Sequence, residues 1–346
     1  MHRYRILPLL ALALLMVMTA ASPPSGGTQD ATPAATPTPK PQSPTQPTTG
    51  PGSSEALFGG MTSIEQKPSG QFFADYWLFV PTDPLPRTTH AGEPFPVVIF
   101  VPGSGVVDAA AYLAWIEHLV QHGAVVLYSL YENGGSSETE YRQGLQDDVR
   151  SGLETLEREG VPVDVTRVAV VGHSLGGVLA VDYAASAAAT GLPIPAAVMG
   201  VAPACLPEEV ACLGADPSAI PATTRVLLVT EADDFDPTVP RAVERIWAGL
   251  EGVPRDNRDM VRLVTDAHGR PPLLATHVQA FADHDHNPPD AFDWYGTWKW
   301  LDALMGCAFD GEWCEVALGN TPEQRFMGTW SDAVPVAEPL VTDAPA

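Results

Sequence analysis

Six consecutive residues, Gly172-His173-Ser174-Leu175-Gly176-Gly177, set a serine between glycines two positions to either side. A serine hydroxyl is a weak nucleophile alone. It attacks a carbonyl when an imidazole within hydrogen-bond reach takes its proton and a carboxylate fixes the tautomer of that imidazole. The chemistry on offer is acyl transfer through Ser174. The pattern carries weight only between a strand and a helix, where a sharp turn lifts the hydroxyl clear and the glycines let two backbones pass. That setting is present: Arg167 to Val171 (RVAVV) is an apolar run of strand length, and Ser174 to about Ala189 is an Ala-rich helical stretch. Leu175 N–H, at the start of this helix, is one expected donor to an oxyanion. Ser104 N–H, between Gly103 and Gly105 after the run PVVIFV, is the second.

The acid and the base should follow the serine along the chain. After VLLVT come Glu231-Ala232-Asp233-Asp234-Phe235-Asp236-Pro237. Counting from the strand end favours Asp234, and the Asp-Pro-x-Val-Pro context before a helix favours Asp236. The spare carboxylates read as solvated helix-start charges rather than a calcium site. Two histidines compete for the base: His268, directly after the run MVRLVTDA, and His277, nine residues further on. His173 neighbours the serine but points away from it, so it is read as structural. Asp283-His284-Asp285-His286 has the residue types of a metal site, yet it lies in a polar, Pro-bounded loop, and neither metal nor cofactor is expected.

These residues need elements to position them. Phe72–Val80, Pro96–Val101, Ala124–Tyr128, Arg167–Val171, Ala196–Val201, Arg225–Thr230 and Met260–Thr265 read as strands. Helical spacing falls between them, at Tyr112, Ile116, Leu119 and Val120, at Leu145, Val149, Leu153 and Leu156, and at Val243, Ile246, Trp247 and Leu250, with a closing Trp-rich helix from Phe292 to Met305. Such alternation predicts an α/β fold: a mostly parallel central sheet with helices on both faces, and chemistry in the loops after the strands. The segment between Val201 and Arg225 is too short for a large cap domain, which predicts an open, shallow site. The eight tryptophans are read as packing residues.

Of 346 residues, 45% are hydrophobic and 17% charged, which excludes a disordered chain and a multi-span membrane protein. With 18 Lys and Arg against 42 Asp and Glu, the formal charge is −24 and nucleic acid is not an expected partner. A basic start, Arg3 and Arg5, leads into an apolar run from Ile6 to Met18 and small residues at Ala20 and Ala21. Residues 1–21 thus read as a signal peptide cleaved near Ala21, giving a secreted protein that could stay associated with the cell surface. Residues 22–55, rich in Pro, Thr and Ser, read as a disordered linker. Residues 56–306 read as the catalytic domain and 307–346 as a C-terminal extension. Export agrees with four cysteines in two local pairs, expected as the disulfides Cys205–Cys212 and Cys307–Cys314 rather than as a zinc site.

The segments VVIFVPGSG, QHGAVVLYS and RVAVVGHSLGG resemble the α/β-hydrolase superfamily, in particular its secreted cutinase, polyesterase and chlorophyllase branch, over roughly Phe72 to Met305. The resemblance implies an α/β-hydrolase fold, Ser174 as nucleophile and Ser104 as an oxyanion donor. Thr276-His277-Val278 resembles the histidine segment that precedes the last helix in cutinases. It also implies a carboxylic ester as substrate, which an open site would allow to be bulky or polymeric. An acyltransferase on the same residues, and a non-catalytic protein that binds a partner through Cys307 to Ala346, are the other readings that one fold allows.

Overall fold

The computed structural model describes residues 40–66, 75–86, 92–132, 137–206 and 212–342; the expected signal peptide and residues 22–39 of the expected linker lie outside them. The strands are β1 (Phe58–Gln66), β2 (Tyr76–Pro84), β3 (Phe95–Val101), β4 (Val125–Ser129), β5 (Val163–His173), β6 (Ala197–Val201), β7 (Arg225–Glu231), β8 (Arg258–Leu263) and β9 (Leu340–Thr342). They form one sheet in the order β1-β2-β4-β3-β5-β6-β7-β8-β9. From β4 to β8 every neighbouring pair is parallel, while β1, β2 and β9 join antiparallel at the edges. The α/β fold class expected from the alternation is present.

Helices α1 (Leu113–Gln121), α2 (Glu138–Arg158), α3 (Leu175–Thr190), α4 (Val239–Gly249) and α5 (Trp298–Asp310) connect and cover the strands, and two single turns, α6 (Cys314–Ala317) and α7 (Pro322–Arg325), follow. The apolar runs are buried on both faces because successive side chains of a strand alternate. Val98 and Phe100 pack with the α1 and α5 side, around Trp115, Trp300 and Leu304. Val97, Ile99 and Val101 pack with α2 and α3, through Leu145, Val149 and Leu179. Among the described residues, a single 3-10 turn (Pro217–Ala219) stands between β6 and β7, so no cap covers the carboxyl ends of the strands there. No described helix is long and apolar enough to cross a membrane.

Besides β1, which no expected strand covers, three features depart from the expectations. The expected last strand is followed by β9, which closes the edge of the sheet against β8. The closing helix starts later and runs further than Phe292–Met305, because Gly296 breaks helical geometry in a wide turn over Asp293–Thr297 and α5 then continues to Asp310. The residues after 306 are therefore part of the domain: Trp330 is buried, and Lys299 Nζ donates to the carbonyls of Glu323, Gln324 and Phe326 at 3.2, 3.0 and 2.7 Å.

The third departure concerns the expected linker. Residues 40–55 form a strap bonded to the domain. Arg270 N–H donates to Pro41 O, Tyr295 O–H to Thr45 O, and Gly52 N–H to Asp302 Oδ2, at 2.9, 3.0 and 2.8 Å. Composition suggested a free spacer, but a Pro-rich chain loses little entropy on docking and its carbonyls remain good acceptors. Gly52 shows the fit. Its φ is +77°, and a Cβ there would lie 2.0 Å from Trp294 O. Gly52→Ala should therefore cost about 2 kcal/mol or more and lower the melting temperature of the full chain, whereas a substitution in a free spacer would leave it unchanged.

Candidate active site

Ser174 sits between β5 and α3 with φ 55° and ψ −125°, a strained conformation for a residue with a Cβ. The glycines around it are needed at contact distance. A Cβ on Gly172 would lie 2.0 Å from Gly176 O, and one on Gly176 would lie 2.1 Å from Val101 O. Ser174 N–H donates to Val201 O, and Ser174 O accepts from Ala204 N–H, so the strained turn is braced by the end of β6.

Ser174 Oγ is 2.9 Å from His277 Nε2, and His277 Nδ1 is 2.9 and 3.1 Å from the two oxygens of Asp234. A carboxylate only accepts, so the imidazole proton belongs on Nδ1 and Nε2 is left to accept the serine hydroxyl. Side-chain exposure is 9% for His277 and 7% for Asp234, low enough to keep water from competing for this chain of bonds. Asp234 Oδ1 also accepts from Asp236 N–H at 2.7 Å. Asp236, the other candidate acid, has a different partner: its Oδ1 accepts from Thr238 N–H and Thr238 Oγ1–H at the entry to α4. The Asp-Pro-x-Val-Pro context thus describes a helix entry.

His268 is not brought to Ser174. Asp266 and Leu273 pair across a short antiparallel bridge, which closes the intervening residues into a loop of their own. His268 Nε2 bonds to Asp332 Oδ2 at 2.8 Å on the surface, beside the Trp330 ring. The chain resumes after that loop, and His277 is the histidine that reaches the serine.

The two expected oxyanion donors lie on either side of Ser174. Leu175 N–H is at the first position of α3, and neither it nor Ser104 N–H has a partner among the described residues. The loop after β3 is close against the serine, for a Cβ on Gly103 would be 3.4 Å from Ser174 Cβ. Residues that sequence reading missed hold this loop. Glu132, just past β4, accepts from Ser104 Oγ–H at 2.6 Å and from Gly105 N–H at 2.7 Å, and Tyr131 O–H donates to Pro102 O at 3.1 Å. The signal for Glu132 was its place after a strand; what could not be read was that β4 neighbours β3.

The loops after the central strands thus share one hydroxyl, one imidazole, one carboxylate and two unpartnered N–H groups. Such a set can move a proton from the hydroxyl to Nε2 and receive a negative oxygen. The chlorophyllase family model matches residues 81–225, from the end of β2 to the start of β7. The chain has an α/β-hydrolase fold with a chlorophyllase-like core. No curated protein matches it.

Along the chain the match spans Ser104, Glu132 and Ser174 and stops short of Asp234 and His277. The Asp283-His284-Asp285-His286 run forms a polar turn in which Asp283 Oδ1 accepts from Asp285 N–H and His286 N–H, while His284 Nε2 pairs with Glu117. All four cysteines are paired, Cys205 with Cys212 and Cys307 with Cys314, at Cα separations of 5.2 and 4.7 Å. Glu231, fully buried beside Asp234, has neither carboxyl oxygen bonded, and burial together with the Asp234 charge pushes its pKa well up.

His173 has the structural place expected of it. Its Nε2–H donates to His277 O at 2.7 Å, its Nδ1 accepts from Tyr112 O–H at 2.8 Å, and Tyr112 Oη accepts from Gly103 N–H at 3.0 Å. Burial, reinforced by His277, holds its pKa down at about 4 against an ordinary 6.5. Between these values the unfolded chain binds the proton and the folded chain does not, so the contribution of His173 is complete above 6.5 and is lost as pH falls toward 4. The shift corresponds to roughly 3 kcal/mol. The buried acids Glu231, Asp148 and Asp293, all pushed up by burial, act in the opposite sense, so the informative quantity is a difference. Denaturant unfolding of the parent and His173→Gln across this range should show the parent losing its advantage on acidification; a pH-independent difference would contradict the neutral, buried imidazole.

Proposed function

We propose that this protein is an exported carboxylic ester hydrolase that works through an acyl-enzyme on Ser174. The observation that carries the reading is the chain of hydrogen bonds from Ser174 Oγ through His277 to Asp234 at the N-terminus of α3. As Oγ attacks the acyl carbon, its proton passes to His277 Nε2, and Asp234, which remains ionised, stabilises the imidazolium. The carbonyl oxygen becomes an oxyanion received by the N–H groups of Leu175 and Ser104. Collapse breaks the bond to the alcohol, which leaves with the proton from Nε2. Water then attacks the acyl-enzyme, gives its proton to His277, and the acid departs as Oγ recovers a proton.

The match to a family described as chlorophyllase supports ester hydrolysis as the reaction class. Hydrolysis is favoured over transfer to another alcohol because Ser174 is partly exposed and no cap stands between β6 and β7 among the described residues, so the acyl-enzyme faces bulk water. Phe235 is 70% exposed with its ring 5.4 Å from that of His277, and Val107, Leu274 and Val278 are also exposed. Apolar side chains of this kind suit a bulky or polymeric acyl group docked from outside. Export is supported by the basic and apolar leader, residues 1–21, and by the paired cysteines.

Ser174→Ala should abolish labelling by a fluorophosphonate and lower kcat on short-chain aryl esters by about 10⁴-fold or more with the melting temperature little changed. Retention of activity would exclude the acyl-enzyme. A second comparison separates the histidines: His277→Ala should lose a similar factor in kcat, while His268→Ala keeps nearly the parent rate. Equal losses in the two variants would contradict the assignment of the base.

A further inference from the structure

His118 and His122 stand one turn apart on α1 and face Asp302 on α5. His118 Nε2 lies 2.8 Å from Asp302 Oδ2, and the two imidazole rings are 4.1 Å apart. One nitrogen of each histidine and one oxygen of Asp302 all fall within 4.8 Å of one another. His118 is 4% exposed and the Asp302 side chain 14%, with the Trp298 ring packed 4.7 Å from His118.

His122 makes this group unlike an ordinary buried His–Asp pair. Its Nδ1–H donates to His118 O at 2.7 Å, which leaves the lone pair on Nε2. That Nε2 is buried without any hydrogen-bond partner. A buried acceptor left unpaired costs free energy, and a hydrogen-bonded pair of His118 and Asp302 alone gives no reason for a second imidazole there. Anchoring one ring nitrogen on a backbone carbonyl while the other stays open is how metal-binding histidines are held.

We propose that His118, His122 and Asp302 form a structural site for a divalent transition metal ion of the zinc class. Two imidazoles and one carboxylate are borderline ligands that suit zinc and not calcium or magnesium, which prefer oxygen. Ligand atoms about 2.0–2.1 Å from a tetrahedral ion stand about 3.3 Å apart, so the group must open slightly at His118 and Asp302 and close at His122. The proton that His118 now shares from Nε2 moves to its Nδ1, no net charge is released, and water takes the fourth position.

The site lies away from Ser174. His122 ends α1 just before the amino end of β4, whereas Ser174 stands at the carboxyl end of β5. Asp302 also accepts Gly52 N–H, so an ion here would join α1, α5 and the strap. The ion therefore acts on stability and leaves the rate per folded molecule unchanged.

The test uses the full chain stripped with a chelator and re-equilibrated with zinc or cobalt. One equivalent of zinc should be retained by metal analysis, the melting temperature should rise by a few degrees with saturating zinc, and Co²⁺ should give the visible absorption of a tetrahedral site. His122→Phe should weaken zinc binding by more than about tenfold and remove the melting shift, with kcat unchanged. His122→Gln serves if the bulkier replacement does not fold. No tetrahedral Co²⁺ spectrum in the parent, or the same spectrum and zinc content in the His122 variants, would overturn the site.

Discussion

The arrangement around Ser174 depends on one buried imidazole that is not part of the relay. His173 uses both nitrogens, one on the carbonyl of His277 and the other on Tyr112 Oη, which in turn holds the N–H of Gly103. Three loops, those following β3, β5 and β8, are thereby tied through neutral hydrogen bonds. A catalytic geometry of this kind loses much of its rate for an ångström of drift, and loops drift unless something rigid spans them. The bridging group sits next to Ser174 in sequence, so the strained turn that presents the hydroxyl also sends His173 inward. The strain at Ser174 and the order of its surroundings thus have one source: β5 ends in the middle of the sheet, between β3 and β6.

Charge follows the same logic. The protein carries a formal charge of −24, and carboxylates crowd the turn after β7, yet the His277 imidazole meets one anion. Asp234 takes Nδ1–H and the Asp236 N–H, while Asp236 turns to Thr238. Glu231 is buried with no donor, and burial and the Asp234 charge push its pKa up, which disfavours a second charge there. Two charges at that depth would repel each other and move Asp234 off the imidazole.

Sequence reading reached furthest where local chemistry is enough. The turn at Gly172–Gly177 could be read because only glycine allows such close backbone passage, and the buried strands could be read because each is a continuous apolar run. It failed where the deciding contact is distant. The choice between His268 and His277 turned on the pairing of Asp266 with Leu273, and that between Asp234 and Asp236 on which carboxylate finds Thr238 first. β1 was hidden because an exposed edge strand has few apolar positions, and β9 because three residues carry no period. Glu132 was hidden for a topological reason: its role exists only once β4 is known to lie beside β3.

The two ends of the described chain show why composition misled. Pro41 and Gln42 bond to Arg270 and Ser331, Thr45 to Tyr295, and Gly52 to Asp302, while Lys299 is held by three carbonyls of residues 323–326. The contacts of Thr45, Gly52 and residues 323–326 fall on α5 or the turn before it, and those of Pro41 and Gln42 on the loop after β8 and on the tail. α5 covers one face of the sheet with large aromatic side chains, and its own sequence leaves a wide turn at Gly296 and a buried ammonium at Lys299. Burial pulls the Lys299 pKa down to about 7, and its amine donates to the carbonyls that surround it. A helix with such defects needs partners from outside itself, and carbonyl-rich segments without side-chain bulk are well suited to supply them. Low hydrophobicity in the strap and tail therefore means that they bind through backbone, which a reading based on apolar periodicity has no means to detect.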